Sequence, residues 1–348
     1  MGRAPRKRNA AMITDLFVVT SGIDADTVAR AIPPACRRGP SSPGAVTTSN
    51  GELVLEFPDW RPRVAARHLL PSFSMLTGVP YTVRFEVSAR AGGTWSPWVA
   101  TATIGPGAFA ELPTAAGALA CDVDVYTAPA PLERVRLRIR LGATDVHALA
   151  AAPWMATLSA SDLAPSVRDT IPAPAPRIPV PALSQLDAAP EIAMRICSPT
   201  SVAMVLGYWG AATSPTTVAN DVFHPASDSY GVWPAAIRAA GLRGVAGYVL
   251  RFPDWSSAAW CLERKLPIIA SVRYAGGELT DAPLPETSGH LVVLTGCDAT
   301  HVFVNDPMAP TADDVARRYR LDEIQCAWLD RAGVGYILFR PDRFPCLE

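Results

Sequence analysis

Residues 181–210 read PALSQLDAAPEIAMRICSPTSVAMVLGYWG, and the fold turns on their second half. Cys197 is followed by Ser198, Pro199 and Thr200, then by Val202, Met204, Val205, Leu206 and Trp209 at helical spacing. Ser198 is a good N-cap and Pro199 suits the first helical position, so a helix is expected to open there. Cys197 then stands at the mouth of a helix N-terminus. Unpaired N–H groups and the macrodipole favour a thiolate at that place, and the thiolate is the nucleophilic form of cysteine. Upstream, Gln185 carries an amide that can donate to an oxyanion. A buried structural cysteine is the plainer reading of a lone Cys before a helix. A histidine and an acid downstream weigh against it.

Residues 288–296, SGHLVVLTG, read as a buried strand entered through Gly289. Residues 297–300 read as a turn, and His301-Val302-Phe303-Val304-Asn305-Asp306-Pro307 as the return strand. Antiparallel pairing brings His290 opposite 305–307. A two-residue loop puts Asn305 and Pro307 on the face of His290, and a loop one residue longer puts Asp306 directly across from it. An imidazole and an orienting polar group are thus delivered to one place, which is what activates a thiol.

Taken together these pieces resemble the papain-like cysteine peptidase superfamily over residues 180–340. The nearer likeness is to the C39-like branch, related to bacterial peptidases that process double-glycine leaders of bacteriocins. The residues that carry it are Gln185, Cys197-Ser198-Pro199-Thr200 with Met204-Val205-Leu206 and Tyr208-Trp209-Gly210, Tyr230-Gly231-Val232-Trp233, Gly289-His290-Leu291-Val292-Val293, and Val304-Asn305-Asp306-Pro307. The resemblance implies Cys197 as nucleophile, His290 as general base, Asp306 as its orienting partner and Gln185 as oxyanion donor. It also implies that Tyr230 and Trp233 line the cleft; burial against the Cys197 helix is nearly as good a reading of those two.

Working outward, 348 residues suggest two domains. A content of 49% hydrophobic and 18% charged residues fits a globular chain with a large core. A net charge of −1 gives no electrostatic reason to expect nucleic acid. Seven cysteines without a CxxC pair argue against a disulfide framework and against a zinc site. No cofactor and no metal are expected. No segment approaches the ~18 apolar residues of a membrane span. The N-terminus is basic, but Asp15 interrupts any apolar core after it and no small-residue cleavage site follows, so no signal peptide is expected; the cytoplasm is the expected location, with secretion as the alternative.

Residues 1–45 are expected to be irregular, given Pro33-Pro34 and the breakers at 39–44. Residues 46–158 alternate apolar and polar in short runs, notably 81–88, 121–125 and 135–141, and are expected to form an antiparallel β-sandwich. Arg134, Arg136, Arg138 and Arg140 share one strand face, read as solvated. Trp95 and Trp98 are read as packing at the sandwich edge, with a sugar or peptide platform as the weaker alternative. Residues 159–178 have the Pro/Ala composition of a linker. From 179 to 348 helices at 197 onward, 232–240 and 256–264 precede strands at 268–272, 290–296, 302–305 and 335–339, an α+β order. The remaining Cys261, Cys297, Cys326 and Cys346 read as packing residues, and His224 and His301 as lesser candidates.

The expected function is a cysteine peptidase acting on a peptide or protein. The alternatives are a catalytically idle binding protein whose β-sandwich recognises a glycan or protein, and an acyltransferase using the same thioester.

Overall fold

The computed structural model describes residues 14–38, 44–49, 51–162 and 174–344. Cys346 and most of the expected linker lie outside the described residues. The described residues build three six-stranded sheets, two from the first half of the chain and one from the second.

The strand Arg134–Gly142 shows why the first half is β-structure. Val135, Leu137, Ile139 and Leu141 are buried while the arginines between them are half-exposed, as a period of two requires. This strand lies between Glu52–Glu56 and Thr82–Ala91 in the second sheet. The first sheet runs Asp15–Ser21, Trp154–Ser161, His68–Met75, Val125–Thr127, Leu119–Asp122, Ala115–Ala116. Side chains of the two sheets meet between them. Phe57 of the second packs edge-on to Phe17 and Trp154 of the first, at centroid distances of 6.2 and 6.1 Å. The Tyr126 hydroxyl donates across to the Phe85 carbonyl at 2.9 Å.

Two expectations need correction here. The segment to residue 45 is not irregular throughout: Asp15–Ser21 is a strand paired along its length with Trp154–Ser161, and Asp24 caps a helix over Ala25–Arg30. The acid that broke the apolar run, Asp15, is buried and paired with Arg63. The ends of the expected linker are also structured. Residues up to Ser161 belong to a strand, while Ala175 and Ile178 hydrogen-bond to Cys297 and Thr295 of the third sheet.

The arginine face is not simply solvated. The Arg136 guanidinium lies 4.1 Å from the Trp95 ring centroid, and that of Arg138 lies 4.3 Å from the Trp98 centroid. Arg84, Arg138 and Arg140 converge on the buried Glu86 carboxylate. The tryptophans therefore pack, as expected, but against cations.

In the second half the sheet order is Ala246–Arg251, Val334–Phe339, Ile268–Tyr274, Thr287–Cys297, His301–Asn305, Ala316–Arg320, all antiparallel. The helix Cys197–Tyr208 packs on Thr287–Cys297 and is buried on every side from Ser198 to Leu206. No helix among the described residues is long and apolar enough to cross a membrane.

The halves share a buried boundary. Ser72 and Ser159 are on the first sheet's outer face, and their hydroxyls accept the N–H groups of Val249 and Arg251 at 3.0 and 3.2 Å. The helix Trp233–Gly241 lies along His68–Met75. A Cβ on Gly241 would sit 2.6 Å from the Met75 carbonyl oxygen, so only glycine allows that approach.

Candidate active site

The Cys197 helix begins at Cys197 itself, with Ile196 as N-cap and no side-chain cap. This corrects the expected start at Ser198. Pro199 falls at the third helical position instead of the first, and is tolerated there because the first N–H groups have no intrahelical acceptor to lose. The first full turn closes with Thr200 N–H on the Ile196 carbonyl at 2.9 Å. Cys197 is part exposed, and the N–H groups of Ser198 and Leu291 point at its sulfur. One turn on, the Ser201 hydroxyl donates to the Leu291 carbonyl at 3.2 Å and ties the helix to the His290 strand.

His290 is buried, and its Nε2 lies 2.8 Å from Asp306 Oδ1. The hydrogen bond it shares with Cys197 therefore uses the other ring nitrogen, Nδ1. Asp306 is fully buried: Oδ1 also accepts from Met308 N–H at 3.0 Å, and Oδ2 from the Tyr319 hydroxyl at 2.8 Å. Asn305 is turned elsewhere. Its amide donates to the Val180 and Pro181 carbonyls at 3.1 and 3.3 Å and its oxygen accepts from Arg177 at 3.3 Å.

The route by which Asp306 reaches His290 differs from the one expected. The turn is the tight one: Asp298 N–H bonds the His301 carbonyl at 2.9 Å, leaving only Ala299 and Thr300 between. Taken alone that register would put Asn305 on the His290 face. A bulge at Thr295 intervenes, because Gly296 pairs with Phe303 but Leu294 pairs with Val304. The slip of one residue places Asp306 past the strand end on the same face as His290, level with Val292 and not directly across from His290.

The electrostatics favour an ion pair. Burial pushes the Cys197 thiol up, but its hydrogen bond to His290, the imidazolium charge and the two N–H groups outweigh burial and hold it below the usual thiol range. Burial lowers His290, and the Asp306 carboxylate and the Cys197 thiolate more than reverse this, leaving it well raised. Burial likewise raises Asp306, yet His290, the Met308 N–H and the Tyr319 hydroxyl bring it down. The contrast with other thiols is plain: burial pushes Cys36 and Cys121 up to about 12 and raises Cys261 and Cys297.

Gln185 opens a short helical turn over Gln185–Asp187, and its N–H bonds the Pro307 carbonyl at 2.8 Å, beside Asp306. Its side-chain Nε2 donates to the Ala193 carbonyl at 2.6 Å, which fixes the amide's orientation and leaves one N–H free to donate. Next to it, Leu186, Met194, Leu284, Met308, Pro310 and Arg317 wall a hollow of about 720 Å³. Tyr230 is half-buried under Arg195, two residues before Cys197, at 5.3 Å, and stacks on Phe223 at 4.8 Å. Trp233 is half-buried at the start of its helix. His224 bonds Ser227, and His301 contacts Thr300 and Asp298; neither meets a thiol.

Sequence reading did not find Tyr319, Tyr336 or Asp124. Tyr319 follows from the period of two in Ala316–Arg320, where it alone is buried. Tyr336 lies on a strand buried on both faces, so no alternation marks it.

Residues 177–336 match the model of the Peptidase_C39 like family. A solved structure from Bacillus anthracis, provisionally named a C39-like peptidase, is 19% identical over 47% of this chain and 96% of its own, with a TM-score of 0.37. No match was found among curated proteins. Over residues 177–336, a little under half of the chain, the protein is thus similar to the Peptidase_C39 like family.

Proposed function

We propose that the protein is a cysteine peptidase, a thiol hydrolase of peptide or other amide bonds. The observation that carries this reading is the hydrogen-bonded row Cys197–His290–Asp306 with a lowered thiol at a helix start. In this reading the Cys197 thiolate attacks the amide carbonyl carbon, and the carbonyl electron pair moves to oxygen. The Cys197 N–H and the free Gln185 Nε2–H hold that oxyanion. His290 gives its Nδ1 proton to the amine as the C–N bond breaks, leaving a thioester. Neutral His290 then takes a proton from water as the water oxygen attacks the thioester. Cys197 departs as thiolate and the ion pair is restored. Asp306 holds the ring in place and stabilises its charged form.

The substrate class is a peptide or protein. The organisation proposed with it is a β-sandwich made of the two N-terminal sheets, beginning near Asp15 rather than at 46, joined to a papain-like domain. Incubation with a mixture of peptides, read by mass spectrometry, should reveal new termini that vanish in Cys197→Ser. Iodoacetamide at neutral pH should modify Cys197 before the other cysteines. No new termini, together with labelling of Cys197 no faster than Cys326, ends this reading.

A further inference from the structure

The helix Trp233–Gly241 has no cap of its own: its N-cap is Val232, and Pro234 has no N–H. The Ala235 N–H is satisfied locally by the Val232 carbonyl, which leaves the Trp233 N–H as the orphan donor. Its acceptor comes from 109 residues away. Asp124 Oδ2, at the tip of the hairpin between Leu119–Asp122 and Val125–Thr127 in the other half, lies 2.7 Å from Trp233 N. The tip is shaped for this delivery. Val123 has φ +53°, a conformation that a β-branched residue avoids, and a tight bond from Asp124 N–H to the Asp122 carbonyl closes the turn at 2.6 Å.

Asp124 is buried beside the nucleophile's surroundings. The charges of Asp124 and Cys197 both reach Tyr336, whose hydroxyl lies beside that of Ser198 without hydrogen-bond alignment. The same helix is gripped further along, where Arg238 Nε donates to the Tyr81 carbonyl at 2.7 Å. The hairpin therefore sets the position of the segment 230–233 relative to Cys197.

We propose that Asp124 is a positioning residue of the Cys197 site, a helix cap lent by the N-terminal half that fixes the Tyr230–Trp233 wall where a peptide must lie. The inference rests on the peptidase reading and extends it to the first half of the chain. It makes the wall matter for a peptide and not for the thiolate, since Asp124 does not touch Cys197.

Two alkylating reagents on the full chain separate these effects. Iodoacetamide reads the reactivity of the Cys197 thiolate alone. Tripeptidyl chloromethyl ketones, taken from a panel for the one that labels wild type fastest, must also occupy the cleft. Asp124→Ala should slow the peptidyl reagent about tenfold and leave the iodoacetamide rate within twofold. Asp124→Asn, which keeps an oxygen for the Trp233 N–H, should restore the peptidyl rate to within threefold, and Asp124→Ser should fall between. The exposed neighbour Asp122→Asn should change neither. If Asp124→Ala does not fold, the Ser and Asn variants still give the ordering. Equal loss with both reagents would reduce Asp124 to a stabilising contact and overturn the proposal, as would unchanged peptidyl rates or no preference of wild type for any peptidyl reagent. Wild-type Cys197 that reacts no faster than the other cysteines would instead remove the peptidase reading itself.

Discussion

Of the carboxylates buried beside partners of opposite charge, Glu86 in the first half and Asp306 in the second differ in where their hydrogen bonds lead. Around Glu86 every valence is taken. Three arginines bind it, and Arg138 and Arg140 pair further with Glu56 and Glu52. Tryptophan rings cover Arg136 and Arg138. Burial raises Glu86, and the arginines reverse this and hold it low. Asp306 is equally enclosed, but its charge is passed through His290 to an atom that is part exposed. A saturated cluster stabilises; one whose last member faces outward can react. The difference lies in where the row of hydrogen bonds ends, not in how deeply the charge is buried.

That contrast can be broken by substitution. Glu86→Ala should cost the most, about 3–5 kcal/mol, because it leaves buried guanidinium groups unpaired. Thermal unfolding should show a large fall in Tm while iodoacetamide still labels Cys197 at the wild-type rate. A slowed Cys197 would mean the two clusters are coupled.

Asp306→Ala should show the reverse pattern in the folded protein. Peptide hydrolysis should drop about a hundredfold, equivalent to roughly 2.7 kcal/mol in the barrier, as His290 loses its orientation and its raised pKa. Asn305→Ala should leave turnover within a few-fold, since that side chain ties down 177–181 and not His290. Equal losses in kcat/KM from the two substitutions would contradict the assigned partner.

Another buried carboxylate, Asp124, sharpens the comparison, since no cation among the described residues is paired with it. Burial pushes it up to about 6, partly offset by the Trp233 N–H, with Asp122 adding a smaller upward push. Cys121 on its own hairpin and Tyr336 of the third sheet are the other ionisable groups near it. Its folded pKa is above the unfolded 3.8. Its contribution is therefore complete below about pH 4 and is lost as pH rises through 6. Asp124→Asn should accordingly raise stability at pH 8 by on the order of 2 kcal/mol, with the gain shrinking below pH 5. Chemical denaturation at the two pH values measures this. A gain that does not change with pH would show that Asp124 is not ionising in place.

Much of this was readable from residue order. The helix after Cys197, the His290 strand and the alternating arginine strand all announce themselves by period. Two kinds of feature did not. One is the bulge at Thr295: a single extra residue in one strand leaves no compositional mark, yet it decides whether Asp306 or Asn305 shares a face with His290. The other is the boundary between the halves. In His68–Met75 and Trp154–Ser161 the serines and threonines alternate with apolar residues, as they would on a solvent face. They are buried, because hydroxyls there accept N–H groups from the strand Ala246–Arg251. Period two reports that one face is polar and is silent on whether water or another backbone satisfies it. The Asp124–Trp233 contact was hidden for the same reason, as a cap supplied across 109 positions has no local signature.

The seat of Gly241 on the Met75 carbonyl has a consequence in time. During synthesis the strands of the first two sheets, complete by Ser161, precede the helix that lies on them. The surface that will receive Trp233–Gly241 is thus available before that helix is made, and the last strand of the third sheet to be made, Val334–Phe339, comes near the end of the described chain. A nascent chain would hold its template early and complete the third sheet only late; on the peptidase reading proposed above, this shortens the interval in which an activated cysteine and unfolded polypeptide are exposed together.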